Sequence, residues 1–95
     1  MNHIRKTDGM KIRFHRNFEK QYKKLRKSEQ TKIKEKLALF LNDEFNPVLN
    51  NHPLHGKYKS YRSINITGDL RAVYKRANIN ERVFVAIGSH SNLYR

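Results

Sequence analysis

Three of the five histidines lie in the C-terminal half of the 95-residue sequence, at His52, His55 and His90. Imidazole titrates near pH 6.5 in water, so it both gives and takes a proton near neutrality. His52 and His55 flank Pro53-Leu54 and precede Gly56-Lys57, a composition that reads as an irregular loop. A loop histidine is more often simply exposed to water than engaged in chemistry. His90 follows Gly88-Ser89 directly after an apolar run, where a glycine lets the backbone turn and presents a side chain at a sheet edge. A single histidine at a strand end is structural at least as often as catalytic.

Asp69 and Arg71 bracket Leu70 after a turn, so their side chains share a face if the strand has begun by Asp69. They read either as a surface ion pair, worth about 0–1 kcal/mol, or as an arginine fork held ready for a phosphate. Tyr94 is suited to stacking on a base or to closing the core. Only four acidic residues follow residue 42 (Asp43, Glu44, Asp69 and Glu81), too dispersed for a carboxylate metal cluster. With no cysteine and no Gly-x-Ser-x-Gly elbow there is no thiolate metal site, no disulfide and no nucleophilic serine centre. Neither metal nor cofactor is expected. What remains is His, Arg, Lys, Tyr and one Asp, equipment for metal-free RNA cleavage. RNA carries its own nucleophile in the 2′-hydroxyl. A base removes that proton, an acid protonates the leaving 5′-oxygen, and cations hold the charge developing on phosphorus.

The elements that must position these groups are legible in the apolar periodicity. Lys11–Phe14 alternates and reads as a first strand. Asn17 is a candidate N-cap for a helix with Phe18, Tyr22 and Leu25 on one stripe. Ser28 is a candidate cap for a second, whose stripe is Ile33, Leu37, Phe40 and Leu41. Asn46-Pro47 ends this helical hairpin. Tyr61–Ile66 and Leu70–Lys75 alternate around Thr67-Gly68-Asp69, whose glycine permits a tight turn. Arg82–Ile87 is a third apolar run, reached through the polar link 77–81. The fold class is α+β: an N-terminal strand, a helical hairpin, then an antiparallel sheet of about four strands with the helices on one face. Residues 1–9 read as a flexible tail, ordered only if something holds it, with Met10 a second candidate start; residues 10–95 read as a single domain.

Lys and Arg number 21 against 8 Asp and Glu, a formal charge of +13. Such a field calls for a polyanionic partner, nucleic acid or an acidic protein. Residues 1–42 hold 13 basic and 4 acidic side chains and residues 43–95 hold 8 and 4, so the hairpin carries most of the excess. No apolar run reaches the ~20 residues of a membrane span, and no signal-peptide centre is seen, so no membrane partner is expected and the cytoplasm is the expected address.

Four blocks carry a resemblance: Asn51-His52-Pro53-Leu54-His55-Gly56; Tyr58-Lys59-Ser60-Tyr61-Arg62; Gly68-Asp69-Leu70-Arg71-Ala72-Val73-Tyr74; and Ile87-Gly88-Ser89-His90-Ser91-Asn92-Leu93-Tyr94. In this order, behind a basic helical hairpin, they resemble the YafQ-like branch of the RelE toxins from about Lys11 to Tyr94. The resemblance implies a RelE-like fold and an mRNA interferase, an endoribonuclease that cuts messenger RNA in the ribosomal A site. It also implies a cognate antitoxin, expected here to be acidic, with DNA reached only through that antitoxin. It implies His90 as general acid, His52 as the loop histidine, Asp69 as an organiser of the site, Arg71 as the phosphate-stabilising arginine and Tyr94 as the substrate-contacting aromatic. His55 and Lys57, with Lys23, Lys24 and Lys27 of the hairpin, are the candidate substrate-binding groups. Asn65 stands where such relatives often carry a histidine and cannot act as a base near neutrality, which moves that role toward His52 or Lys57; Leu70 and Ala86 replace a frequent tryptophan and arginine. The alternatives are a ParE-like inhibitor of DNA gyrase, which shares the fold without cutting RNA, and an RNA-binding module without catalysis.

Overall fold

The computed structural model describes residues 3–5 and 9–93. In chain order the strands are β1 (His3–Arg5), β2 (Lys11–Phe14), β3 (His52–Pro53), β4 (Tyr61–Asn65), β5 (Leu70–Asn78) and β6 (Glu81–Ser89). The helices are α1 (Arg16–Lys23), α2 (Lys27–Asn42) and α3 (His90–Leu93), with short 3-10 turns at Pro47–Leu49 and Gly56–Tyr58. The sheet runs β1-β2-β6-β5-β4-β3.

The four longer strands, β2, β4, β5 and β6, are those expected from the alternating pattern. Two short strands flank them: β3, and β1 inside the segment read as a tail, where His3–Arg5 pairs antiparallel with Lys11–Arg13. The sheet is mixed rather than purely antiparallel, because β2 lies parallel to β6 with Ile12 beside Arg82 and Phe14 beside Phe84. Alternation specifies a strand and its buried face but neither its neighbour nor its direction. Strand β5 also outruns the expected Leu70–Lys75, since Arg76 and Asn78 pair with β6 across a register shift at Ala77 while all three remain exposed, and the turn shrinks to Ile79-Asn80.

Both helices pack on one face of the sheet. Phe18, Ile33, Leu37 and Phe40 are fully buried against Ile12, Ile64, Ala72, Tyr74 and Phe84 of the strands. Each large side chain so buried contributes about 1.5–3 kcal/mol. The Phe40 ring meets Tyr74 and Phe84 edge-on at 4.9 and 5.2 Å. The caps differ from the sequence expectation. His15, not Asn17, caps α1, its Nδ1 accepting from the Asn17 N–H at 3.0 Å. Arg26, not Ser28, precedes α2, its N–H donating to the Glu29 carboxylate at 3.2 Å.

Asn17 serves the sheet instead. Beyond Phe84, β6 has no β2 partner, and α1 lies along that edge: Asn17 Nδ2 donates to the Val85 carbonyl at 3.0 Å and the Ile87 N–H donates to Gln21 Oε1 at 2.7 Å. Backbone groups that would otherwise be orphaned are thereby satisfied. The two bonds also show direction, because α1 and β6 advance together from Asn17 at Val85 to Gln21 at Ile87. Arg82, the first residue of the run read as apolar, is a further difference. It is 3% exposed and pairs with Glu44 at 3.1 Å.

Candidate active site

Asn46 opens the loop that carries His52, its side chain capping the turn Pro47–Leu49 by accepting from the Val48 N–H at 3.0 Å. Asn50 and Ser60 are the non-glycine residues with positive φ among those described, at 45° and 79°, and they bracket the histidine loop. Such conformations cost about 1 kcal/mol or more each and persist only where the surroundings hold them. A chain of hydrogen bonds provides that hold. Arg62 Nε donates to Asn51 Oδ1 at 2.7 Å, and Asn51 Nδ2 donates to the Tyr74 hydroxyl at 2.8 Å. The Tyr74 hydroxyl donates to Glu44 Oε2 at 2.6 Å, and Arg82 Nε closes on the same oxygen at 3.2 Å. Burial pushes the Glu44 carboxyl up, but hydrogen bonds from Arg82 and Tyr74 and the charge of Arg82 outweigh it and hold the group below its ordinary value. Burial, reinforced by the Glu44 carboxylate, raises the Tyr74 phenol, which stays protonated as the donor.

Next to Asn51, the Nδ1 of His52 lies 2.8 Å from the Asn50 carbonyl oxygen. A carbonyl only accepts, so Nδ1 carries a proton, and in the neutral ring Nε2 is then the acceptor. His55 is exposed and precedes the turn Gly56–Tyr58. His90 is the first residue of α3, and its backbone N–H donates to the Asp69 carbonyl at 3.1 Å, tying the end of β6 to the β4–β5 turn. His52, Pro53, Leu54, His55 and His90 line one open cleft of about 380 Å³. The structure therefore brings three separately read histidines together across 38 residues of sequence between His52 and His90.

None of the other described sequence-derived residues is among those that line this cleft. Asp69 is exposed, precedes β5, and its carboxylate forms no ion pair with Arg71 among the described residues, so the shared-face pairing is not present. Arg71 Nη1 instead donates to the carbonyls of Thr67, Gly68 and Leu70 at 3.0, 3.2 and 3.2 Å, fastening its guanidinium to the turn. Its ladder partner is Gly88, two residues before His90. That turn does not use a left-handed glycine at Gly68. It is closed by the Thr67 hydroxyl, which accepts from the Leu70 N–H at 3.1 Å. Gly88 matters for a different reason, since a Cβ there would stand 3.3 Å from Leu93 Cγ, where α3 folds back onto the sheet. Lys57 is exposed with its ammonium 5.3 Å from the Tyr58 ring centre, and Lys23, Lys24 and Lys27 are exposed where α1 passes into α2. Asn65 Oδ1 is buried without a partner, beside Arg71 in the ladder. Tyr94 lies outside the described residues.

Among the described residues no three His, Asp or Glu side chains are grouped so as to hold a metal ion, and no helix is long and apolar enough to cross a membrane. Sequence reasoning missed Glu44, Asn51, Arg62 and Tyr74. Asn51, Arg62 and Tyr74 fall in the blocks that carry the resemblance, but no role follows from that, and each of the four acquires one from partners 7 to 38 residues away.

A small basic α+β domain with a helical hairpin on one sheet face and clustered histidines at the end of the central hairpin is the class defined so far. Residues 10–95 match the family described as bacterial toxin of type II toxin-antitoxin system, YafQ, and the chain belongs to that family. The fold is similar to the crystal structure of YafQ from E. coli strain BL21(DE3), with a TM-score of 0.76 at 24% identity, covering 90% of this chain and 99% of that one. It is similar to the toxin in the E. coli DinJ-YafQ toxin-antitoxin complex, with a TM-score of 0.75 at 25% identity over 92% and 99% of the two chains. A metal-bound toxin from Helicobacter pylori matches at 28% identity and a TM-score of 0.62, over 87% and 97%. A comparison with curated proteins finds no match.

Proposed function

We propose that this chain is a ribosome-dependent, metal-independent endoribonuclease acting on messenger RNA in the cytoplasm. The observation that carries the reading is the meeting of His52, His55 and His90 in one cleft, with the Nε2 of His52 left as an acceptor by its Nδ1 contact to Asn50. In this scheme His52 takes the proton from the attacking 2′-hydroxyl, and His90 gives one to the leaving 5′-oxygen. Arg71, fastened to the turn beside His90, meets the charge on phosphorus, and Asp69 holds the end of β6 through its carbonyl. His55 and Lys57 bind the flanking backbone, Tyr94 stacks on a base, and Lys23, Lys24 and Lys27 supply the attraction to ribosomal RNA.

The partner that silences the toxin is an acidic antitoxin that wraps the domain. A charge of +13 favours such a segment, and the E. coli relative is found with DinJ in a toxin-antitoxin complex. Primer extension on a message with and without ribosomes, repeated with a chelator, tests the reading. Codon-phased cuts that need ribosomes and survive the chelator are expected. Cleavage abolished by the chelator contradicts the mechanism, and inhibition of DNA supercoiling without RNA cleavage would select a gyrase inhibitor instead.

A further inference from the structure

The face of the sheet opposite the helices is not bare. A groove of about 810 Å³ crosses it, with Arg13, His15 and Lys75 around a floor that includes Val83 and Val85, and with Tyr61 as its aromatic wall. Tyr61 and Arg76 also line a smaller hollow of about 200 Å³, and Pro53 lines both that hollow and the histidine cleft. The three depressions therefore share residues end to end.

The cations of this groove are unevenly committed. Arg13 pairs with Glu81 at 3.0 Å, while Lys75 is exposed and forms no ion pair among the described residues, its ammonium lying 6.0 Å from the Tyr61 ring centre; Arg76 also lines the groove, but its guanidinium is turned to the helix side, reaching Glu44 at 3.4 Å and the Phe45 ring at 5.8 Å. A basic groove with an aromatic face and an apolar floor is the chemistry that single-stranded nucleic acid uses, phosphates on the cations and a base on the ring.

We infer that the groove of Arg13, Tyr61 and Lys75 is an extended subsite for single-stranded RNA, holding nucleotides beyond those bound at the histidine cleft. The inference rests on the ribonuclease reading for the ligand class, not for the groove. A chain of several nucleotides spans the cleft and the groove, whereas a trinucleotide occupies the cleft alone. The subsite sets how long a stretch of RNA the toxin grips, and its binding is independent of the chemical step.

Fluorescence anisotropy with 2′-O-methyl oligouridylates of three and nine nucleotides tests this on the intact protein, because 2′-O-methyl RNA lacks the nucleophile and is not cut. The nine-mer is expected to bind at least about tenfold more tightly than the three-mer. Arg13→Gln with Lys75→Gln should remove that advantage, lower the salt slope by about 1.4, and leave the three-mer unchanged. Tyr61→Leu should weaken the nine-mer by about fivefold or more without changing the slope. Lys32→Gln with Lys34→Gln, exposed on α2, removes the same charge and should change little. Should loss of the Arg13–Glu81 pair unfold the double variant, Lys75→Gln alone carries the test. Nine-mer binding that is unaltered in the groove variants, or lowered equally by the α2 pair, overturns the inference. So does a groove that loses polyglutamate while keeping RNA, which makes it a protein-binding surface. Cleavage is not read here, so a groove that fails leaves the ribonuclease reading standing, and a chain that grips the nine-mer but never cuts messages refutes that reading alone.

Discussion

Glu44, just past the end of α2, meets Arg82 of the central strand β6 at 3.1 Å, with side-chain exposures of 9% and 4%. The pair fastens the helical hairpin to the sheet, and the same carboxylate accepts from Tyr74, whose hydroxyl accepts from Asn51, the residue before His52. A stabilising ion pair and the placement of a candidate catalytic loop are thus one network.

Because the folded state holds the Glu44 carboxyl below its ordinary value of 4.5, the stability it contributes is present above the unfolded value and is lost as pH falls through the folded one. Thermal melts should therefore show stability falling below about pH 4.5, with less of that fall in Glu44→Gln. At pH 7, Glu44→Ala strands the Arg82 charge and should cost about 3 kcal/mol or more. A melting temperature within a few degrees of the parent contradicts this placement.

Asn51 holds the loop by its side chain on both faces, accepting from Arg62 and donating to Tyr74. Asn51→Ala should cost about 1–2 kcal/mol by urea denaturation, with the midpoint lowered and the slope unchanged. Cleavage should fall more than this stability loss explains, since His52 loses its anchor. Equal cleavage rates under conditions where both proteins are folded would show that the network does not serve the loop.

Gly88 leaves room for Leu93, so the added methyl of Gly88→Ala, 3.3 Å from Leu93 Cγ, makes the side chain that seats α3 on the sheet give by a few tenths of an ångström. Overpacking of this kind costs about 1–3 kcal/mol. As His90 begins α3, the turnover rate should drop while ribosome binding, measured by co-sedimentation, stays within about twofold of the parent. Unchanged turnover would show that the site tolerates movement of α3.

Much of this architecture is legible in the sequence, for identifiable reasons. Phe18, Ile33, Leu37 and Phe40 were legible because helical periodicity reports burial directly, and the four main strands because alternation does the same. The parallel pairing of β2 with β6 was not, since periodicity carries no information about neighbours. At the site, the histidines were visible as residue types in suggestive loops, but their common cleft arises only when β3 and the end of β6 converge. Asp69 and Arg71 share a face only if the strand has begun by Asp69, and β5 begins at Leu70. The Glu44–Tyr74–Asn51–Arg62 chain had no local signal, because every link joins distant parts of the sequence.

The hairpin lysines and the histidine cleft have separable roles. Replacing Lys23, Lys24 and Lys27 with Gln should weaken ribosome or RNA association and flatten its salt dependence by a slope of about 2, with cleavage surviving at high concentration. A triple variant with unaltered salt dependence would place the binding charge elsewhere.

The most direct measurement is a single-turnover cleavage assay of His90→Ala on saturating programmed ribosomes. Saturation removes the binding contribution and leaves the chemical rate. Loss of a general acid should slow that rate by roughly 100-fold or more while ribosome affinity is retained. Cleavage at the parental rate would make His90 a structural residue at the end of β6, and would contradict the account at its centre.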